Sequence, residues 1–193
     1  MKKIPENFKT LLTAKRIEDR LREIAAEIVA DKLPPAANEL LLVPIMSGAE
    51  LACGRIRRFI EEELQRRASG KAGPAISEKP LYVKRSMGTR LIKPRLVDFH
   101  YTREDFSGKT VVIVDDLVDE GLTLQLAHET IRRLGPLKLI TVVVVKKSDV
   151  DTDGWLDYPA FQLDYPLEKA RKRWLFGYGM DIGGKGPGTG FHR

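Results

Sequence analysis

The segment Thr110-Val-Val-Ile-Val-Asp-Asp-Leu-Val-Asp-Glu-Gly-Leu-Thr123 decides how this chain folds. Its β-branched run over residues 111–114 predicts a strand buried on both faces. Asp115 and Asp116 follow at once, and Thr123 leads into a helical pattern. A strand, a turn and a helix N-terminus bind phosphate well, because the first helical N–H groups are unpaired and the dipole favours anions. Acidic groups beside them suit ribose hydroxyls or a metal, so the segment predicts a sugar phosphate site. The alternative is a solvated acidic turn that caps a helix.

Strands and helices alternate on both sides of this segment. The pattern predicts a helix capped by Thr13 and stopped before Pro34, and a helix over 49–64 with Leu51, Ile56, Ile60 and Leu64 facing the core. A third helix is expected over 124–134. Strands are predicted over 39–45, 81–84, 96–99, 139–145, 158–163 and 174–178. This alternation predicts an α/β fold with a mostly parallel central sheet, flanked by helices, and a site at the strands' carboxyl ends.

Length and composition favour one domain over residues 1–193. With 193 residues, 42% hydrophobic and 31% charged, the chain is long enough to bury a core. Three stretches carry no periodic pattern: a connector over 68–80, a basic loop over 85–95 that we expect to be flexible, and a glycine-rich tail over 183–193.

Composition also indicates where the protein is located and which classes of partner it binds. No apolar run reaches the length of a membrane span, and the single Cys53 excludes an internal disulfide, so we expect a cytoplasmic protein without a membrane partner. The net charge of +6 suits nucleic acid or polyanionic small molecules. Few aromatic residues interleave with the basic ones, which makes nucleic acid an unlikely partner.

The central segment resembles the phosphoribosyl pyrophosphate (PRPP) loop of type I phosphoribosyltransferases. Most of the chain resembles the 6-oxopurine branch of these enzymes, which is the hypoxanthine-guanine phosphoribosyltransferase family. Residues 42–49 are similar to its pyrophosphate loop, and residues 144–147 and 174–181 to its two purine-pocket segments. The resemblance implies the type I phosphoribosyltransferase fold, with a small hood and a flexible loop.

On the PRPP side, the resemblance implies that Asp115 and Asp116 bind the ribose hydroxyls and hold the Mg²⁺ ion together with Asp181. It implies that Asp119 accepts the proton of purine N7 and is therefore catalytic. The 5′-phosphate would be wrapped by a loop of five residues, namely Asp119, Glu120, Gly121, Leu122 and Thr123.

On the other side of the site, the resemblance assigns pyrophosphate to Met46, Ser47 and Gly48. The purine is assigned to Lys146, which would donate a hydrogen bond to O6, to the stacked ring of Trp174, and to backbone groups of Leu175. Four departures from the family pattern bear on binding. Asp115 stands where well-known members have Glu, Glu120 replaces Thr or Ser, Ser86-Met87 replaces Ser-Tyr, and only Lys185 and Arg193 are candidates for the basic residue after the metal carboxylate.

The implied function is purine salvage: PRPP and hypoxanthine or guanine would give IMP or GMP and pyrophosphate, with Mg²⁺, in a homodimer or homotetramer. One alternative is a nucleotide-sensing, RNA-binding regulator on the same fold. Another is a transferase that prefers xanthine or a pyrimidine. Asp119 together with Trp174 favours the purine enzyme, because the regulators lack an acid at the purine-facing position.

Overall fold

A computed structural model describes residues 10–34, 39–46, 48–68, 73–84, 93–147, 150–163 and 177–180. The glycine-rich tail, most of the basic loop and most of the strand expected over 174–178 lie outside these residues. The helices are α1 (Ala14–Glu27), α2 (Glu50–Arg67), α3 (Arg103–Phe106) and α4 (Leu122–Arg133). The strands are β1 (Glu39–Met46), β2 (Ala75–Glu78), β3 (Leu81–Lys84), β4 (Arg95–Val97), β5 (Thr110–Val118), β6 (Lys138–Lys147) and β7 (Tyr158–Leu163).

The described strands form one seven-stranded sheet in the order β4-β3-β1-β5-β6-β7, and β2 also pairs with β1. All pairings are parallel except the one between β3 and β4. The mostly parallel sheet flanked by helices, predicted from the sequence, is therefore confirmed. Pro44 lies where β1 changes its neighbour from β2, paired as far as Leu42, to β3, paired from Ile45.

The strand β5 is the centre of the core. Val112 and Val114 pack on the side of α1 and α2, whereas Val111 and Ile113 pack on the side of α4. All four side chains are fully buried. This two-sided burial explains why the strand is continuously apolar rather than alternating.

Helix α1 begins as expected. The Thr13 hydroxyl accepts a hydrogen bond from the Arg16 N–H at 3.2 Å, and Ile17, Leu21 and Ile24 are buried along one stripe. A π-helical turn, Ile28–Lys32, follows the α-helix before Pro34. No helix in the described part of the chain is long and apolar enough to cross a membrane.

Several local predictions were wrong. Ile56 and Ile60 of α2 are buried as predicted, but Leu51 is 41% exposed, and Ala52 and Cys53 are buried near the start of the helix instead. The connector over 68–80 contains β2, which has no apolar pattern of its own and is held by pairing with β1. Helix α3 was missed because four residues are too few to show a period.

The central strands run further than their apolar patterns. Strand β5 continues through Asp115 and Asp116 to Val118, and β6 includes Lys146 and Lys147. Val118 pairs with Lys146, so the carboxyl ends of the two strands lie side by side. Polar groups at these ends therefore meet at one edge of the sheet.

Candidate active site

The turn between β5 and α4, residues 119–121, is the candidate anion-binding turn. Gly121 has a left-handed backbone (φ 80°, ψ −16°) and directly precedes α4. Its carbonyl accepts a hydrogen bond from the Gln125 N–H at 2.8 Å, which closes the first helical turn. The first N–H groups of the helix have no partner within it, including those of Leu122 and Thr123. A helix N-terminus of this kind suits an anion such as phosphate, in agreement with the sequence-based expectation, which stays a prediction.

A lysine and an aspartate are paired beside this turn. Nζ of Lys147 donates a hydrogen bond to Oδ1 of Asp119 at 2.5 Å. The Lys147 side chain is only 7% exposed, whereas that of Asp119 is 38% exposed and open to a ligand. Lys146, the residue singled out from the sequence, is half-buried and precedes Lys147 in β6, so its side chain points to the opposite face of the sheet.

The two ribose-binding candidates lie at the end of β5. Asp115 is buried and Asp116 is half-buried, and the Asp116 N–H donates to Oδ1 of Asp115 at 3.0 Å. The carboxylate of Asp116 lies against Gly48, where even a methyl group would collide with it. Gly48, predicted to bind pyrophosphate, is thus a neighbour of the predicted ribose acid.

A turn from the far end of the described chain closes this side. Gly177–Met180 is held by the hydrogen bond from the Met180 N–H to the Gly177 carbonyl at 3.1 Å. Gly179 is left-handed (φ 96°) and approaches the carbonyl of Gly48 so closely that a side chain would not fit. Burial raises the pKa of the neighbouring Tyr178 to about 12, so this phenol stays neutral at physiological pH.

The connection between β6 and β7 covers the anion-binding turn. A Cβ atom added to Gly121 would lie 2.9 Å from Cγ1 of Val150 and 3.2 Å from Cη2 of Trp155. No role was predicted for either residue, and neither belongs to a periodic pattern.

Asp115 and Asp116, at the end of β5, suit a metal ion that is also bound by a substrate. Among the described residues, no group of three or more His, Cys, Asp or Glu side chains could hold an ion by itself. Mg²⁺ is commonly bound by one or two carboxylates together with water and substrate phosphates. Asp115 and Asp116 supply oxygen ligands of that kind.

The remaining site predictions are distributed as follows. Met46 ends β1 and is half-buried, as is Glu120 in the anion-binding turn. Ser47, Trp174, Leu175 and Asp181 lie outside the described residues, as do the departures at Ser86, Met87, Lys185 and Arg193.

Two relatives with assigned names are similar to most of the chain. The hypoxanthine-guanine phosphoribosyltransferase of Mycobacterium tuberculosis is 29% identical over 175 residues, which cover 89% of this chain and 77% of the relative. The enzyme of the same name from Aquifex aeolicus is 27% identical over 183 residues, covering 92% and 89%.

Solved structures share the fold. The hypoxanthine-guanine phosphoribosyltransferase of Bacillus anthracis has a TM-score of 0.69 at 19% identity and covers 93% of this chain and 91% of that one. The hypoxanthine phosphoribosyltransferase of Trypanosoma cruzi in complex with its product IMP has a TM-score of 0.68 at 21% identity, covering 95% and 88%.

The family model of the phosphoribosyl transferase domain matches residues 7–153. That range contains the anion-binding turn, both acids at the end of β5, and Lys147. Because the match covers well over half of the sequence, the chain belongs to the phosphoribosyl transferase domain family.

Proposed function

We propose that this protein is a purine-salvage enzyme that transfers the 5-phosphoribosyl group of PRPP to hypoxanthine or guanine, giving IMP or GMP and pyrophosphate. The observation that carries the proposal is the contact of Lys147 with Asp119 beside an anion-binding helix N-terminus. The names of the relatives from Mycobacterium tuberculosis and Aquifex aeolicus support the same substrate class.

The paired side chains match the edge of a 6-oxopurine. An ammonium only donates hydrogen bonds and an ionised carboxylate only accepts them. Hypoxanthine and guanine present the O6 acceptor next to an N7–H donor, so Lys147 and Asp119 can bind both groups together. Adenine would turn amino hydrogens toward the ammonium, and a buried mismatch of this kind costs on the order of 2–5 kcal/mol.

The lysine that contacts O6 is proposed to be Lys147, with Lys146 as the alternative. Lys147 is buried and already touches Asp119, the group expected near N7. Lys146 is half-buried, on the opposite face of β6. The sequence could not separate the two residues, because residues 140–145 are buried on both faces and their pattern does not indicate which lysine faces the site.

In the proposed reaction, N9 of the purine forms a bond to C1 of the ribose while the bond from C1 to pyrophosphate breaks. Pyrophosphate leaves with the electron pair of the broken bond, and the N7 proton of the purine passes to the carboxylate of Asp119 and from there to water. The negative charge of Asp119 also stabilises the positive charge that develops on the purine during the transfer. Asp115 and Asp116 would hold the ribose hydroxyls.

Bound Mg²⁺ supplies positive charge for the leaving pyrophosphate. Asp115, Asp116 and Asp181 are the residues proposed to hold it, and Met46, Ser47 and Gly48 are proposed to contact the pyrophosphate. Trp174 and Leu175 are proposed to contact the purine ring. Removal of Mg²⁺ by a chelator is expected to abolish turnover, which the absorbance assay described below would measure.

A nucleic-acid-binding role has less support. Many basic side chains of α1 and α2 are engaged with acidic neighbours rather than forming an open basic surface; these ion pairs are Arg20–Glu23, Arg22–Glu62, Arg55–Glu18, Arg57–Glu61 and Arg58–Glu62. We further propose a cytoplasmic homodimer or homotetramer of single-domain chains, which light scattering after size-exclusion chromatography would test.

The function is tested with purine bases, PRPP and Mg²⁺, followed by absorbance. Hypoxanthine or guanine should be converted, and adenine should give negligible product. Lys147→Met is expected to lower turnover of the 6-oxopurine by about 10-fold or more, because it loses the donor to O6. Lys146→Met is the matched control and should keep most of the activity. Efficient use of adenine would contradict the proposed function, whereas full activity of Lys147→Met would contradict the assignment of Lys147 to O6.

A further inference from the structure

We propose that Trp155 is a positioning residue for the 5′-phosphate: its indole ring holds Gly121 in the left-handed conformation that aims the first N–H groups of α4. This inference rests on the proposed function, because it takes the anion at this turn to be the 5′-phosphate of PRPP.

The contact is close and is made by the edge of the ring. A Cβ atom on Gly121 would lie 3.2 Å from Cη2 and 3.3 Å from Cζ2 of Trp155, and 2.9 Å from Cγ1 of Val150. The two side chains therefore close the space above a residue that itself carries no side chain. Glycine adopts positive and negative φ about equally well, so Gly121 has no intrinsic preference for its observed φ of 80°. The packing restricts it instead.

A small turn places the ring over Gly121. The N–H groups of Trp155 and Leu156 both donate to the carbonyl of Thr152 at 3.3 Å, and Thr152 is only 7% exposed. Trp155 and Leu156 also pack against the hydrophobic cluster under α4, which includes Leu124. The indole is thus fixed from below by the core and from behind by the turn.

The end of β6 contacts the other end of the anion-binding turn. The Val150 N–H donates to the carbonyl of Lys147 at 3.4 Å, which places Val150 beside the end of β6. Lys147 contacts Asp119, the first residue of the turn, whereas Trp155 covers Gly121, the last one. One end of the turn is therefore contacted by the last residue of β6, and the other end by Trp155 from the connection to β7.

The packing of Val150 and Trp155 on Gly121 favours the binding of ligands that carry a 5′-phosphate. If the turn is already in the binding conformation, less conformational freedom is lost when the phosphate arrives. The benefit applies to PRPP and to the nucleotide product, because both use these N–H groups. It does not apply to the free purine.

The test compares Trp155→Ala with Trp155→Phe and with Leu156→Ala, the matched loss of a neighbouring half-buried side chain. We expect Trp155→Ala to raise the Kd for PRPP with Mg²⁺, and for IMP, by about 10-fold, and to raise KM for PRPP with little change in kcat. The Kd for hypoxanthine should not move. Trp155→Phe should restore most of the affinity, and Leu156→Ala should lower only thermal stability.

Hydrogen exchange without ligand gives an independent readout. The Gln125 N–H is bonded to the Gly121 carbonyl at 2.8 Å, so loosening of Gly121 should speed its exchange in Trp155→Ala but not in Leu156→Ala. If Trp155→Ala does not fold, Trp155→Leu keeps apolar volume without the ring edge and should show the same selective loss of affinity.

Two results would overturn the inference: an unchanged Kd for PRPP in Trp155→Ala, or an equal loss in Leu156→Ala. A native protein that neither binds PRPP nor forms a nucleotide would instead refute the proposed function. In that case, Gln125 exchange would still decide whether the ring restrains Gly121.

Discussion

Gly121 combines two constraints that a side chain would violate. Its φ of 80° is in the left-handed region, where a residue with a Cβ atom costs roughly 1–2 kcal/mol. The added atom would also meet Val150 at 2.9 Å. Gly121→Ala should therefore lower the free energy of unfolding and also weaken PRPP binding, measured by urea denaturation and calorimetry.

Gly154 offers a control for this prediction. It has a similar φ of 82°, but an added Cβ atom would have no neighbour within 4 Å. Gly154→Ala should then show the backbone cost in stability while keeping native affinity for PRPP. Equal affinities in the two variants would mean that the surroundings of Gly121 do not matter for binding.

At the residue scale, candidate site residues that are close together in the sequence could be predicted, whereas contacts between residues distant in the sequence could not. Asp115, Asp116 and Gly121 lie within one stretch of seven residues, and their order after an apolar strand was enough to predict an anion site. Trp155 reaches Gly121 only through a short turn between β6 and β7, and such a contact leaves no periodic trace.

Among the elements, α2 carries a glycine whose position has no structural need for one. An added Cβ atom on Gly54 would have no neighbour within 4 Å, and the residue lies inside the helix. Gly54→Ala should raise the free energy of unfolding by about 0.5–1 kcal/mol, because alanine loses less backbone entropy in a helix. Thermal denaturation measures the change, and catalytic activity should remain native.

Gly48, just before the same helix, should behave in the opposite way. A methyl group there would collide with the carboxylate of Asp116, so Gly48→Ala is expected to disturb the site and lower activity. If Gly48→Ala were as active as Gly54→Ala, the contact between Gly48 and Asp116 would have no part in function.

Helices and strands with a regular pattern of buried apolar residues could be predicted from the sequence. A strand that is held mainly by pairing with its neighbour could not. The stripe of α1 and the apolar runs of β1, β5 and β6 are visible in the sequence because burial selects those side chains. Strand β2 is half-exposed and exists by pairing with β1. Leu51 was misplaced because α2 also buries Ala52 and Cys53, which are too small to mark the stripe clearly.

For the whole molecule, an ion pair links the turn before β3 to α3 and should appear in the dependence of stability on pH. Nζ of Lys79 lies 2.8 Å from Oδ1 of Asp105. Hydrogen bonds, first from Lys79 and then from the Thr102 N–H, lower the pKa of Asp105 to about 2. The pair therefore stabilises the fold fully above the ordinary pKa of an aspartate, and this contribution is lost as pH falls from about 4 to about 2.

Asp105→Asn removes the charge but keeps an oxygen for the Thr102 N–H. Its melting temperature should be below that of the native protein at neutral pH, and the two values should converge toward pH 2. The exposed change Asp153→Asn is the control and should show no such convergence. A constant difference across this range of pH would mean that the charge of Asp105 is not what stabilises the native state.

The contact between Gly179 and Gly48 also sets an order for assembly during translation. Every strand of the described sheet has been synthesised once Leu163 is added, but the turn Gly177–Met180 comes later. A nascent chain can therefore complete its sheet before the far turn arrives to pack against Gly48. Residues 177–180 are therefore needed to close the side of the fold at Gly48, but they are not needed to form the described sheet.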